Sequence, residues 1–327
     1  MTNQSKAKLA PISNTDSNPK EESSQNLKDR RHFKAFWKRI RQQNDALLII
    51  RQLNQMIKSV QLHRGMSMSL LAGGKYFQTE IVELQEQLQR QIIALEVFTD
   101  PIDELLSDKD RSCLDNAWRT IAHDWHDDDV IDNFELHSHF VDELLTMVVS
   151  LSKRLTYFSN DQSTPVDSAD NDESVTYPQT FKQIELLNFV AKQLPQTIEQ
   201  VAKIRGLSSH AATIGKVEHW QGRYLRYLIQ CVKTENQKLR YQADRISTLV
   251  DIEFHSIGNI KAYENKLLFL FGCLENDLLG EGEKDIDGQQ LFKLSSEIIN
   301  TYSRIVDDGW GLVRRWLDND IQYRVQQ

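Results

Sequence analysis

Residues that break helices are scarce in this sequence. The 327-residue chain holds 13 glycines and 6 prolines. All-β and α/β folds spend more of both on turns, so the shortage points to long helices. Cysteine is scarcer still. Cys113, Cys231 and Cys273 lie far apart and form no CxxC pair, so they read as reduced, buried thiols of a cytoplasmic protein. Apolar runs of about 18 residues, the length that spans a bilayer, are missing. The strongest candidate, Ala46–Leu53, is short and ends in Arg51 and Gln52. Residues 1–28 carry no apolar core of a secretory leader. No P-loop, GxGxxG, nucleophile elbow or HExxH motif occurs, and no carboxylates pair in a recognisable acid–base arrangement. Neither an enzyme nor a cofactor is therefore expected. No alternating strand pattern of useful length appears either.

What is present is an ordinary globular balance, 40% hydrophobic and 26% charged, with a net charge of −8. Such a surface repels nucleic acid. The expected fold class is all-α. Residues 1–28 are rich in Ser, Asn, Lys and Gln and read as a disordered tail. From 29 onward, Leu47, Ile50, Leu53, Ile57, Val60 and Met68 recur at helical spacing, until Gly73-Gly74 offers a turn. Phe77, Ile81, Leu84, Leu88, Ile92 and Leu95 mark a second helix, stopped by Asp100-Pro101. Helices over about 102–122 and 133–158 follow. The acidic stretch 159–178, with no basic residue from Asn160 to Thr176, reads as a disordered linker between halves 29–158 and 179–327. Beyond it, helices are expected over 179–193, from Pro195 in a new first turn to Ile214, over 220–249, 254–274 and 288–324. Two antiparallel bundles with long helices are the expected architecture.

Two local clusters have both a plain and a functional reading. Lys28, Arg30, Arg31, Lys34, Lys38, Arg39 and Arg41 flank Phe33, Trp37 and Ile40. A basic amphipathic helix over 28–41 either touches an anionic membrane or partner, or is an ordinary first helix with a charged outer face. His123, Asp124, His126 and Asp127 match no strong metal pattern and read as a solvated helix end, so no metal site is expected. Trp310 and Trp316, beside Arg314 and Arg315, read as packing or oligomer contacts, and a homo-oligomer is expected.

Two segments echo each other. Ser59-Val60-Gln61-Leu62-His63-Arg64-Gly65-Met66-Ser67-Met68-Ser69 and Gln200-Val201-Ala202-Lys203-Ile204-Arg205-Gly206-Leu207-Ser208-Ser209-His210 each set Arg-Gly inside an apolar helical stretch, followed by small polar residues. A mid-helix glycine costs about 1 kcal/mol relative to alanine, so two in matching contexts imply close approach of a helix or ligand beside a long cation. The first segment, continued by Leu71-Ala72-Gly73-Gly74 and Phe77, resembles the signature of the nitrate- and nitrite-sensing (NIT) domain, with His63 where that signature has Glu. Asn133-Phe134-Glu135-Leu136-His137, Leu194-Pro195, Glu199, Ile204-Arg205-Gly206-Leu207 and Leu291-Phe292 resemble the helical ligand-binding regions of bacterial chemoreceptors and sensor kinases.

The resemblance implies a soluble bacterial sensor module that binds a small anion, nitrate or nitrite, and signals to a separate protein by helix rearrangement. Its ligand-binding candidates are Arg64, Arg205, Gly65, Gly206, Ser67 and Ser208. A guanidinium fork matches a planar three-oxygen anion. The alternative is a helical scaffold or regulatory interaction module without a ligand, in which the arginines meet carboxylates or water and no cavity lies between the helices.

Overall fold

The computed structural model describes residues 19–99, 105–157, 179–250, 254–281 and 286–325. The expected tail up to residue 18 and the whole of the expected acidic linker, 159–178, lie outside these residues. Among the described residues every regular element is helical and none is a strand. Contacts divide the chain into Met1–Gln42 and Gln43–Gln327, a division that falls inside the first helix.

Helix α1, Pro19–Leu71, starts ahead of the expected residue 29. It ends where expected, at a turn in which Gly73 takes a φ of +86°, a conformation costly for any residue with a Cβ. Helix α2, Gln78–Thr99, buries Ile81, Leu84, Leu88, Ile92 and Leu95, the stripe its spacing predicts. Helix α3, Asp108–Ala122, starts from a capping box in which Ser107 and Asp110 satisfy each other's backbone N–H. A 3₁₀ turn, Trp125–Asp127, leads to helix α4, Val130–Tyr157.

After α5, Gln179–Asn188, the expected break at Pro195 does not occur. Five residues, Phe189–Gln193, widen into a π turn, and the chain runs straight into α6, Leu194–Ile214. Proline has no N–H to donate and its ring crowds the carbonyl one turn back. The π turn absorbs both problems, since Leu194 N–H reaches back to Phe189 O. Helices α7, His219–Val250, α8, Asn259–Gly272, and α9, Gly288–Val325, complete the fold.

Helix α6 sits at the centre. From Thr197 to Ala211 every residue is buried except Gln200, which is partly so. It packs against α9 and α7. A helix buried all round is normally apolar. This one carries Glu199, Lys203, Arg205 and His210 into the interior, so each needs a partner inside the protein. The cysteines depart from expectation: all three are free but only partly buried.

Candidate functional site

The two Arg-Gly segments cross. A Cβ built on Gly206 would lie 3.9 Å from Gly65 Cα and 2.7 Å from Met68 Sδ. One built on Gly65 would lie 2.9 Å from Phe292 Cε2 and 3.1 Å from Arg205 Nε. The echo thus marks the place where α1 and α6 touch backbone to backbone, with α9 closing one side. The glycines' helical cost is offset by this approach, and the adjacent arginines are carried into the core.

Arg64 is wholly buried and takes a carboxylate in its fork. Its Nη1 and Nη2 donate to Glu199 Oε1 and Oε2 at 2.7 and 3.1 Å. Nη1 also donates to Ser138 Oγ on α4, at 2.9 Å. The Phe134 ring lies 5.5 Å from the guanidinium carbon. Gln61 Nε2 donates to Glu199 Oε2 at 2.9 Å, and Lys203 Nζ stands 3.6 Å from Oε1. Glu199 therefore meets two cations and an amide, which compensates for its desolvation. Asp142, half exposed on α4, lies 3.9 Å from Lys203; burial pushes its carboxyl up, with Lys203 opposing.

Arg205 has the opposite situation. It is nearly as buried, yet among the described residues no carboxylate stands within ion-pair distance. Nη2 donates to the carbonyl of Gln61 on α1 at 2.6 Å, and Nη1 to Ser296 Oγ on α9 at 3.1 Å. Nε has no partner. The Phe292 ring, 4.9 Å from the guanidinium carbon, supplies a weak electrostatic contact. Burial, and then the like charge of Arg64, lowers its pKa to about 9, which leaves it protonated at neutral pH. Arg64, Lys203 and Arg205 thus face one buried carboxylate, Glu199, and one half-exposed one, Asp142. The interior of the crossing holds an excess of positive charge.

Beside it lies a chain of neutral imidazoles. His137 Nδ1 is 2.6 Å from the Asn133 carbonyl, which can only accept, so that nitrogen carries the proton. His137 Nε2 then accepts from His63 Nδ1 at 2.7 Å, and His63 Nε2 is left bare and unpartnered. Burial lowers His63 to about 3 and His137 well below the usual imidazole value, the latter helped by His63 and Arg64. Trp118 and Trp125 close around His63 edge-on, at 5.4 and 5.8 Å. Ser67 Oγ, also buried, is placed to donate to Asn133 Oδ1 at 2.8 Å, with Arg64 O at 3.1 Å as its other acceptor. Ser208, its counterpart in the echo, reaches only Arg205 O in its own helix, at 3.4 Å.

Comparison with family models, with curated proteins and with solved structures returns no match.

The geometry thus joins four of the six named residues in one place: Arg64, Gly65, Arg205 and Gly206. Ser67 joins through Asn133, and Ser208 takes no part. Neither arginine lines the two cavities described for the chain. One, of about 740 Å³, runs between α1, α2 and α9 past Arg51, Gln52, Gln91 and Trp310. The other, of about 20 Å³, touches Gln61. Ser138 and Ser296 carry no motif of their own, Gln61 and Lys203 lie in the echoing segments without being named as site residues, and only the packing of four helices makes all four part of the site. No cluster of three or more metal-binding side chains occurs among the described residues.

Proposed function

We propose that the chain is a sensor module in which the crossing of the two Arg-Gly segments takes a small inorganic anion. Nitrate and nitrite are the candidates implied by its NIT-like motifs. In this reading two antiparallel bundles share the crossing, and a separate signalling protein reads the change in helix packing. The observation that carries it is Arg205, a buried guanidinium that meets only a carbonyl and a hydroxyl and has no carboxylate within ion-pair distance among the described residues. A buried cation without a counter-ion is costly, and a monovalent anion would remove that cost. Arg205 also ties three helices, bonding to Gln61 of α1 and Ser296 of α9 from its place on α6. An anion that draws the guanidinium away from either bond changes how these helices are held. Ligand and partner would then be coupled through that shift, to the extent that the anion prefers one arrangement.

Thermal unfolding in nitrate, nitrite and chloride tests it. An anion at a hundred times its Kd stabilises by about 2.7 kcal/mol. At about 2–4 °C per kcal/mol, Tm rises by several degrees. The rise is expected with nitrate or nitrite, exceeding that with chloride, and is lost in Arg205→Gln. No response to any of the three sinks the sensor reading.

One observation favours a second reading, a helical scaffold or regulatory interaction module with no ligand. The Arg64 fork is already filled by Glu199. An internal carboxylate there stands where an anion would otherwise bind. A stable protein partner captured equally well with and without anions would favour this reading.

A further inference from the structure

The basic stretch 28–41 plays no part in the buried crossing. It holds seven basic residues and one acidic residue, a net charge of +6 within a chain of −8. All of it is helical, inside α1. At 3.6 residues per turn, Phe33, Phe36, Trp37 and Ile40 fall within an arc of about 100°, and the cations lie outside that arc. An ordinary first helix would turn this apolar arc inward. Here Ile40 is buried and Phe36 partly so, but Phe33 is 63% and Trp37 44% exposed, and their rings meet edge-on at 5.9 Å. Two large aromatics are held at the surface of a strongly cationic helix.

We propose that residues 28–41 dock on an anionic lipid surface, with Phe33 and Trp37 entering the headgroup layer and the flanking lysines and arginines contacting lipid phosphates. Tryptophan is favoured at such interfaces because its ring is apolar and its N–H polar, and phenylalanine beside it adds apolar area. Cations beside them add electrostatic attraction to acidic headgroups. Charge decides between occupants. A second copy would bring another +6 stretch against this one and be repelled. Nucleic acid would meet the same cations, but the remainder of the chain carries the whole negative excess, and an aromatic arc on an unbroken helix matches a bilayer better than separated bases. The helical stretch is about 21 Å long, enough to lie along the surface and not to cross it.

The test is co-sedimentation of the full chain with phosphatidylcholine vesicles, with and without phosphatidylglycerol. Binding is expected only with phosphatidylglycerol, and is expected to weaken as salt rises. It should fall about tenfold or more in Phe33→Ser/Trp37→Ser and in Lys34→Glu/Lys38→Glu. Phe33 and Trp37 are exposed, so thermal unfolding of the serine variant should match the parent chain. Failure to bind phosphatidylglycerol vesicles, equal binding to pure phosphatidylcholine, or full binding by the serine variant overturns the proposal. So does a preference for nucleic acid over vesicles.

Discussion

At the scale of single residues, the core of this protein is unusual in how many charges it holds and how unequally they are matched. Glu199 is the hub. Removing it leaves Arg64 buried without a counter-ion, and such losses cost about 3–5 kcal/mol. Glu199→Ala is therefore expected to destabilise by that amount in urea unfolding. Arg64→Met/Glu199→Leu removes both charges and should cost less than the single substitution. A double variant weaker than Glu199→Ala would show that the pair does more than neutralise itself. The imidazoles give a pH dependence. Their folded pKa values lie below the unfolded value of about 6.5, so the unfolded chain binds more protons below that pH. Stability contributed by keeping them neutral is present above pH 6.5 and is lost as pH falls toward about 3, the folded value of His63. The slope is about 1.4 kcal/mol per pH unit for each histidine. Urea unfolding between pH 5 and pH 6.5 should show this decline, and His63→Leu should flatten part of it. An unchanged slope in that variant would place the titration elsewhere.

At the scale of elements, the two mid-helix glycines are not equivalent, although they occupy matching places in the echo. Alanine at 65 meets the edge of the Phe292 ring at 2.9 Å, whereas alanine at 206 meets the sulfur of a flexible methionine. Overpacking against a ring costs about 1–3 kcal/mol, and both substitutions regain about 1 kcal/mol of helix propensity. Gly206→Ala is expected to be near neutral, because Met68 has other rotamers. Gly65→Ala is expected to be the more destabilising, by about 1 kcal/mol or more, read from denaturation midpoints. Equal effects would mean that Phe292 yields as easily as Met68. The periodic segments of α2, and the Gly73 turn, were legible because a helix with one wet face writes its period into the sequence. The continuity of α5 with α6 was not. Pro195 carries the same letter whether it starts a helix or sits behind a π turn, and the deciding bond, Leu194 N–H to Phe189 O, belongs to the backbone.

For residues 43–327 taken together, the buried network joins α1 and α4 to α6 and α9 through Arg64, Ser138, Glu199 and Arg205. Residues 43–327 accordingly form one compact unit by contact. A protease site introduced between 160 and 176 should give two fragments that stay together in size-exclusion chromatography without denaturant. They should separate only when the core unfolds, since buried contacts, not chain continuity, hold them. Fragments that part on cutting would place a domain boundary at the acidic segment.

Composition and periodicity by themselves determined that this chain is helical, since few breakers and repeated apolar stripes leave little else to form. They also marked Arg64-Gly65 and Arg205-Gly206, because a glycine inside a helix is a cost that packing must offset. Only the tertiary structure decided that these glycines lie against one another, that Glu199 fills one guanidinium fork, and that Arg205 has no such partner. Those outcomes depend on which helices cross and at what depth. Depth is set by the packing of distant segments, which no local spacing records.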